Sequence, residues 1–130
     1  MSAVVVGYVP SPEGRAALNR GVQEAKLRGV GLVVVNTTRG DALVDERYVQ
    51  GEAAAALAAE LAQLDVPAEL RQVSTGDDVA EEIDTIATEV DAVLVVIGLR
   101  RRSPVGKLIL GSAASRILLN VGHPILTVKA

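Results

Sequence analysis

Three short and almost uninterrupted apolar runs constrain the fold of this chain more than any other feature. They lie at Ala3 to Val9, Val30 to Asn36 and Asp91 to Gly98. Runs of this length, without alternating polar residues, are typical of strands buried on both faces, and such strands occur in parallel sheets covered by helices. The runs therefore predict a sheet enclosed between two layers of helices.

Segments with helical patterns separate these runs. After the first run, Ser11 is placed to cap a helix that has Pro12 at its first position and ends at Gly29. Three further helices are expected at about 45–64, from 77 or 78 to 90, and at about 112–121. Two more strands, at 66–74 and 123–129, complete the alternation, and the charges within 66–74 are typical of an edge strand.

This order of elements predicts an α/β fold with an open, five-stranded parallel sheet and helices on both faces. The chain has 130 residues, which suits a single domain spanning 1–130.

The composition narrows the choice of partners and compartment. The formal net charge is −3, which argues against a non-specific nucleic-acid binder because such proteins present a basic face. The chain has no cysteine, so neither disulfides nor thiol chemistry is expected. The sequence shows neither a signal-peptide pattern nor an apolar run of membrane-spanning length. We therefore expect a cytoplasmic protein with no nucleic-acid or membrane partner.

Ligands of open parallel sheets bind beyond the carboxyl ends of the strands, where the strand order reverses. Three loops are expected there, at 10–12, 36–40 and 98–111. The third loop is the most unusual, because it combines three arginines and Lys107 with a glycine at each end. Its Gly106-Lys107-Leu108 sequence lacks the Ser or Thr and the spacing of a P-loop, and no glycine-rich dinucleotide motif follows the first run.

Residue chemistry alone leaves two interpretations of this loop open. In the first, the loop binds phosphate. Free N–H groups of the helix that begins at Ser112 favour an anion, the arginines add positive charge, and Gly98 lets a ligand or another backbone approach. In the second, it is a solvated loop in which Pro104 and Gly106 shape a turn and Ser112 caps the helix.

Two stretches resemble the universal stress protein family. They are VVVGYVPSPEGRAAL near the start and DAVLVVIGLRRRSPVGKLILGSAASRILLNVGHPILTVK near the end, and the resemblance covers essentially the whole sequence. The ATP-binding signature of this family is Gly, two residues, Gly, nine residues, Gly and then Ser or Thr. Gly98, Gly111 and Ser112 fall at these separations, and Arg101 stands at the second glycine.

The resemblance implies a Rossmann-like sheet with the strand order 3-2-1-4-5. It implies ATP, or else ADP or AMP, as the cofactor, with Mg²⁺ held only through the nucleotide. It implies a role in stress responses with no enzymatic reaction beyond slow ATP hydrolysis. It also implies a homodimer formed through the last strand, His123 to Lys129.

The same resemblance implies the site residues. Gly98, Arg101, Gly111, Ser112 and Ala113 would bind the phosphates, and Val9, Pro10 and Thr37 would bind the base and ribose. Tyr8 lies beside them at the end of the first run, where it either stacks on adenine or packs against the core. Family members that bind ATP usually carry Asp at the position of Val9, and valine accepts no hydrogen bond from a nucleoside. Losing one such neutral contact costs about 0.5–1.5 kcal/mol. Arg101 allows two outcomes, since it either clamps a phosphate or occupies the space of one.

Two other classes of function stay open. In one, Val9 and Arg101 mark a lost pocket, and the chain is a dimeric interaction module that binds no nucleotide. In the other, the chain is an enzyme acting on a phosphorylated metabolite, although no Ser-His-Asp or Cys-His grouping is visible. His123, the single histidine, is expected to be a turn or interface residue, because a metal or catalytic role would need partners.

Overall fold

Five parallel strands form one sheet in the computed structural model, which describes residues 2–37, 44–73, 79–99 and 112–130. The strands are β1 (Ala3–Tyr8), β2 (Gly31–Thr37), β3 (Ala68–Val73), β4 (Ala92–Leu99) and β5 (Ile125–Lys129). The helices are α1 (Pro12–Arg28), α2 (Val44–Ala62), α3 (Val79–Glu89) and α4 (Ser112–Asn120). The strand order β3-β2-β1-β4-β5 confirms the order that the resemblance implies.

Three strands are shorter than the sequence predicts. The strand β5 begins at Ile125 and not at His123. β1 ends at Tyr8, because the carbonyl of Val9 accepts a hydrogen bond from the N–H of Ser11 at 2.9 Å and the chain turns there. β3 begins only after Pro67, which has no N–H to donate to a neighbouring strand. The carbonyl of Pro67 still accepts a hydrogen bond from the N–H of Leu32 at 2.8 Å. This bond fixes the position of the chain relative to β2 one residue before β3 begins.

The end of β4 also differs from the prediction. The strand continues to Leu99, because Gly98 and Leu99 are in register with Val128 and Lys129 of β5. Gly98 therefore lies inside a strand and not at its end. The predicted cap of α3, at 77 or 78, lies outside the described residues.

Side chains alternate between two apolar cores, one on each face of the sheet. Val4 and Val6 of β1 belong to the core under α1 and α2, whereas Val5 belongs to the core under α3 and α4. The helices contribute Leu18, Leu57 and Leu61 to the first core and Ile83, Ile86 and Ile117 to the second. Burying each such side chain stabilises the fold by about 1.5–3 kcal/mol. Helices on both faces are thus confirmed.

Glycines bring the start of α1 into backbone contact with the sheet. A Cβ atom at Gly14 would overlap the carbonyl group of Val9, which follows β1. A Cβ atom at Gly98 would overlap the carbonyl oxygen of Glu13 in the first turn of α1. These two positions need glycine for space, and together they fix where α1 begins relative to β1 and β4.

The two edges of the sheet differ in chemistry. At the β3 edge, Arg71 donates from Nε to Glu69 at 2.9 Å and from Nη1 to Glu89 of α3 at 2.8 Å. These two hydrogen bonds, to Glu69 first, raise the pKa of Arg71 above its ordinary value, although slight burial opposes them. At the other edge, β5 has the sequence ILTVK and pairs with β4 among the described residues. Charged side chains discourage strand addition, so β5 is the more accessible edge.

We expect Gly14→Ala to destabilise the protein by about 1–3 kcal/mol, the usual cost of overpacking, because the new methyl group would displace the Val9 carbonyl. The gain in helix propensity, about 1 kcal/mol, offsets this only in part. Gly122→Ala is the matched control, since its methyl group would meet only Asp84 Oδ1 at 3.8 Å. Urea unfolding followed by circular dichroism measures both variants, and equal stability would contradict the close contact.

Candidate functional site

The connection from β1 to α1 forms one side of the candidate site. Ser11 has extended backbone angles, φ −157° and ψ 167°, as expected of a residue that caps a helix. Its Oγ accepts a hydrogen bond from the N–H of Gly14 at 3.1 Å, and its carbonyl accepts one from the N–H of Arg15 at 2.9 Å. Pro12, at the first helical position, has no N–H at all. The start of α1 therefore has few free donors for a ligand anion.

Glu13 lies at this same start of α1 and is only 8% exposed. Its carbonyl oxygen and its Cβ are the atoms that a side chain at Gly98 would meet. A carboxylate in the first turn is favoured by the helix dipole, which provides a local reason for an acidic residue here. The contact also means that the α1-facing side of Gly98 is occupied by protein.

Tyr8 ends β1 and packs against the core under α1 and α2. Its hydroxyl interacts with Arg15, whose Nη1 donates to Glu60 of α2 at 2.6 Å. The hydrogen bond to Glu60 is the main reason that the pKa of Arg15 lies above its ordinary value. Partial burial opposes the shift, and Tyr8 adds to it. Tyr8 is thus engaged in a link between two helices, and its stacking on adenine stays a prediction.

The other side of the candidate site is the start of α4. This nine-residue helix begins at Ser112 and has no acidic residue in its first turn, whereas α1 carries Glu13 and α3 carries Glu81 and Glu82 in theirs. Ile117 is buried in the core under α3 and α4 and holds α4 against the sheet. The N–H groups at the start of a helix favour an anion.

Three adjacent strands bring several predicted residues to one edge of the sheet. Tyr8 is in register with Asn36 of β2, and Gly7, one residue earlier, is in register with Ile97 of β4. The carboxyl ends of β2, β1 and β4 thus place Asn36, Tyr8 and Gly98 along one line, and Thr37 lies one residue further along β2. Val9 is half-buried and Pro10 is exposed at the same edge.

Other predicted site residues are not described. Arg101 and Gly111 lie outside the described residues. For Thr37, Ser112 and Ala113 the structure describes the backbone within β2 and α4, and the side chains lie outside the description. Their contacts with a ligand stay predictions.

Two polar residues at this edge were not identified from the sequence as site candidates. Glu13 is not among the predicted site residues, and Asn36 was expected at this edge only as the first residue of the 36–40 loop. Both are buried, with exposures of 8% and 5%. A polar residue directly after a run of buried strand residues was the available signal for Asn36, because polar groups are seldom buried without a hydrogen-bonding role.

A shallow groove of about 540 Å³ lies at the opposite, amino edge of the sheet. Ser2, Lys26, Gly31 and Asp65 are among the residues that line it. Lys26 and Asp65 form a loose ion pair at 3.7 Å, and Asp65 is 90% exposed. Exposed charges of this kind are weak binding determinants, and ligands of open parallel sheets bind at the carboxyl edge. We therefore place the candidate site at the carboxyl edge.

His123 lies just before β5, and its side chain is close to α3. Its Nε2 lies 3.4 Å from Thr88 Oγ1 and 4.0 Å from Asp84 Oδ1, and Asp84 Oδ1 accepts a hydrogen bond from the N–H of Gly122 at 2.9 Å. In the described part of the chain, no group of three or more histidine and acidic side chains is arranged to hold a metal ion. The role of His123 as a turn or interface residue stays a prediction. Among the helices that are described, none is long and apolar enough to cross a bilayer.

Comparison with known proteins identifies the family. The profile of the universal stress protein family matches residues 1–129. A universal stress protein of Mycolicibacterium smegmatis is 48% identical over 126 residues, which make up 97% of this chain and 96% of that protein. The solved universal stress protein of Archaeoglobus fulgidus is 31% identical with a TM-score of 0.81, and 99% of each chain is covered. The chain therefore belongs to the universal stress protein family.

A second structure from Archaeoglobus fulgidus is that of a universal stress protein in complex with dAMP. It shares 23% identity and a TM-score of 0.75 with this chain, and the match covers 99% of this chain and 98% of the other. At this identity the likeness shows the fold.

We expect Ser11→Ala to lower the free energy of unfolding by about 1 kcal/mol, because the N–H of Gly14 loses its acceptor. Ser11→Asp is the control that retains an acceptor and should stay within about 0.5 kcal/mol of the wild type. Thermal and urea unfolding measure both. A stable Ser11→Ala variant would show that the cap does not hold the start of α1.

Proposed function

We propose that this protein binds an adenine nucleotide at the carboxyl edge of β2, β1 and β4 and acts as a nucleotide-responsive regulator in stress responses, with no enzymatic reaction required. The single observation that carries the proposal is the start of α4 at Ser112, where the first turn has no acidic residue to compete with a phosphate. Membership of the family and the dAMP complex of the Archaeoglobus fulgidus protein support it.

In this proposal the phosphates lie at the start of α4. The N–H groups of Ser112 and Ala113 would donate to phosphate oxygens, and Arg101 and Gly111 would complete that side of the site. At Gly98 another backbone approaches, which is one of the two alternatives expected from the sequence, because its α1-facing side is covered by Glu13. Gly98 allows the close contact with α1, and any ligand would approach from its other side.

The base and ribose would lie over the ends of β1 and β2. Pro10 is exposed and Val9 is half-buried, so both offer apolar surface to an adenine ring. Thr37 follows Asn36 at the end of β2. Tyr8 packs against the core under α1 and α2 and interacts with Arg15, so it holds the end of β1 in place. This set of residues fits a nucleoside by apolar contact more than by hydrogen bonds. Mg²⁺ would be held by the phosphates and would offset their charge.

The first test is binding itself. Protein purified without added nucleotide is denatured, and the supernatant is analysed by chromatography for ATP, ADP and AMP. Calorimetric titration with each nucleotide is then expected to give a dissociation constant of about 1 mM or lower, which corresponds to roughly −4 kcal/mol or more negative. If no nucleotide co-purifies and no heat of binding is detected, the proposal is wrong and the interaction module is favoured.

The double variant Val9→Asp with Arg101→Gly restores the residues that ATP-binding relatives carry. We expect it to raise nucleotide affinity by up to about tenfold, because one polar contact returns and the glycine position is cleared. Leu27→Asp, at a 79% exposed position near the far end of α1, is the control for an added carboxylate. Equal affinity of the double variant and the control would contradict the assignment of the site.

The second candidate function, a dimeric interaction module, is favoured by the surface around β5. Leu119 is 83% exposed and Leu118 is 37% exposed on α4, which shares a core with Ile125 of β5. Among the described residues, no ion pair joins side chains of β5, whereas Arg71 of β3 is paired with Glu69 and Glu89. We propose that two copies pair through His123 to Lys129, and this pairing is compatible with nucleotide binding.

Hydrogen exchange tests the dimer without a mutation. Backbone amides in 125–129 are expected to become more protected as the protein concentration rises, because a partner strand would accept their hydrogen bonds. Amides in β3 should exchange at a rate independent of concentration and serve as the internal control. Sedimentation over the same range gives the mass. A monomer at every concentration would contradict pairing through β5.

A further inference from the structure

Asn36 places a polar side chain in an apolar part of the structure, and the proposed function makes no use of that side chain. The residue is 5% exposed, and it follows Val34 and Val35, which are fully buried. Its backbone lies between two neighbours, because Asn36 is in register with Tyr8 of β1 and with Gln72 of β3. Asn36 is therefore enclosed within the sheet, one residue before β2 ends.

The side-chain amide of Asn36 has no hydrogen-bonding partner within the part of the chain that the structure describes. Its neighbour Tyr8 interacts with Arg15, which donates to Glu60 at 2.6 Å. An amide that is buried without a partner destabilises a protein, and folded proteins rarely leave a buried polar group in that state. An amide that destabilises the fold and bonds to none of its described parts is a candidate for binding a ligand.

The position of Asn36 limits the direction from which a ligand can reach it. Alternation along β2 puts its side chain on the same face as Val34, under α1 and α2. The apolar core lies on that face towards the amino edge, and β1 and β3 flank Asn36 within the sheet. The approach that remains is from the carboxyl edge, over the ends of β1 and β2. This is the place to which the base of the nucleotide is assigned.

We propose that the Asn36 amide forms hydrogen bonds with the 6-amino group and the adjacent ring nitrogen of adenine, so that this site selects 6-aminopurines. The inference rests on the proposed function, because it requires a base over the ends of β1 and β2. The amide has an NH₂ donor and a carbonyl acceptor, and this edge of adenine presents the complementary acceptor and donor. A purine without the amino group would leave the buried amide unpaired and would bind more weakly.

Calorimetric titration with AMP and with purine riboside 5′-monophosphate, which differs from AMP only in lacking the 6-amino group, tests the inference. The wild type is expected to bind AMP at least about tenfold more tightly than the analogue. The variant Asn36→Leu has a side chain with the same branching but without hydrogen-bonding groups. It should lower the AMP affinity and bind the two ligands within about twofold of each other.

The stability of the same variant gives a second readout, which a structural role of Asn36 would reverse. An apolar side chain removes the desolvation cost of an unpaired amide, so the melting temperature of ligand-free Asn36→Leu should rise by about 3 °C or more. Gln72→Leu is the matched control, since Gln72 carries the same amide in register on β3 but is exposed. It should keep the wild-type preference for AMP and melt within about 2 °C of the wild type.

The outcomes separate this inference from the proposed function. Equal affinity of the wild type for the two ligands, or a preference for AMP that persists in Asn36→Leu, would overturn the inference and leave nucleotide binding intact. An unchanged or lower melting temperature, or a failure to fold, would also overturn it, because the amide would then have a partner in the protein or a bound water. If the wild type binds neither ligand, the proposed function is wrong and so is the inference. Loss of the preference together with a higher melting temperature would establish Asn36 as a specificity residue.

Discussion

The contact between the first turn of α1 and the ends of β1 and β4 is the constraint on which the rest of this structure depends. Gly14 lies on the carbonyl of Val9, and Gly98 lies on the carbonyl of Glu13, so three backbone segments meet without side chains between them. Such proximity leaves little freedom for the helix to shift, because backbone atoms cannot repack as side chains do. The carboxyl edge of the sheet, where a ligand of this fold binds, is built on this junction.

The architecture was largely predictable from the sequence. Uninterrupted apolar runs identified β1, β2 and β4, since only a strand covered on both faces tolerates valine at every position. Ser11, Pro12 and Gly29 marked the ends of α1 through their capping chemistry, and the structure bears this out, with Gly29 in the left-handed conformation at φ 65°. The order of the strands came from the family resemblance, because apolar periodicity identifies strands but not their neighbours.

The site was less predictable, and Gly98 shows why. A glycine near the end of a strand indicates that something approaches closely, but not whether it is a ligand or another part of the chain. Here it is the backbone of α1, which is distant in sequence. The burial of Glu13 and Asn36 was not predictable for a related reason, because burial of a polar side chain depends on how helices and strands meet. By contrast, the sequence alone shows that Val9 replaces the Asp usual in ATP-binding relatives, since this is a local change of residue type.

The unequal edges of the sheet limit how far copies of this chain can polymerise. Growth of a continuous sheet needs every copy to accept a strand on one side and offer one on the other. Arg71, tied to Glu69 and Glu89, covers the β3 side with paired charges. In the proposed pairing through β5, two copies close about a two-fold axis, and each copy then presents its β3 edge outwards. The ion pairs of Arg71 make that remaining edge a poor acceptor for a further strand.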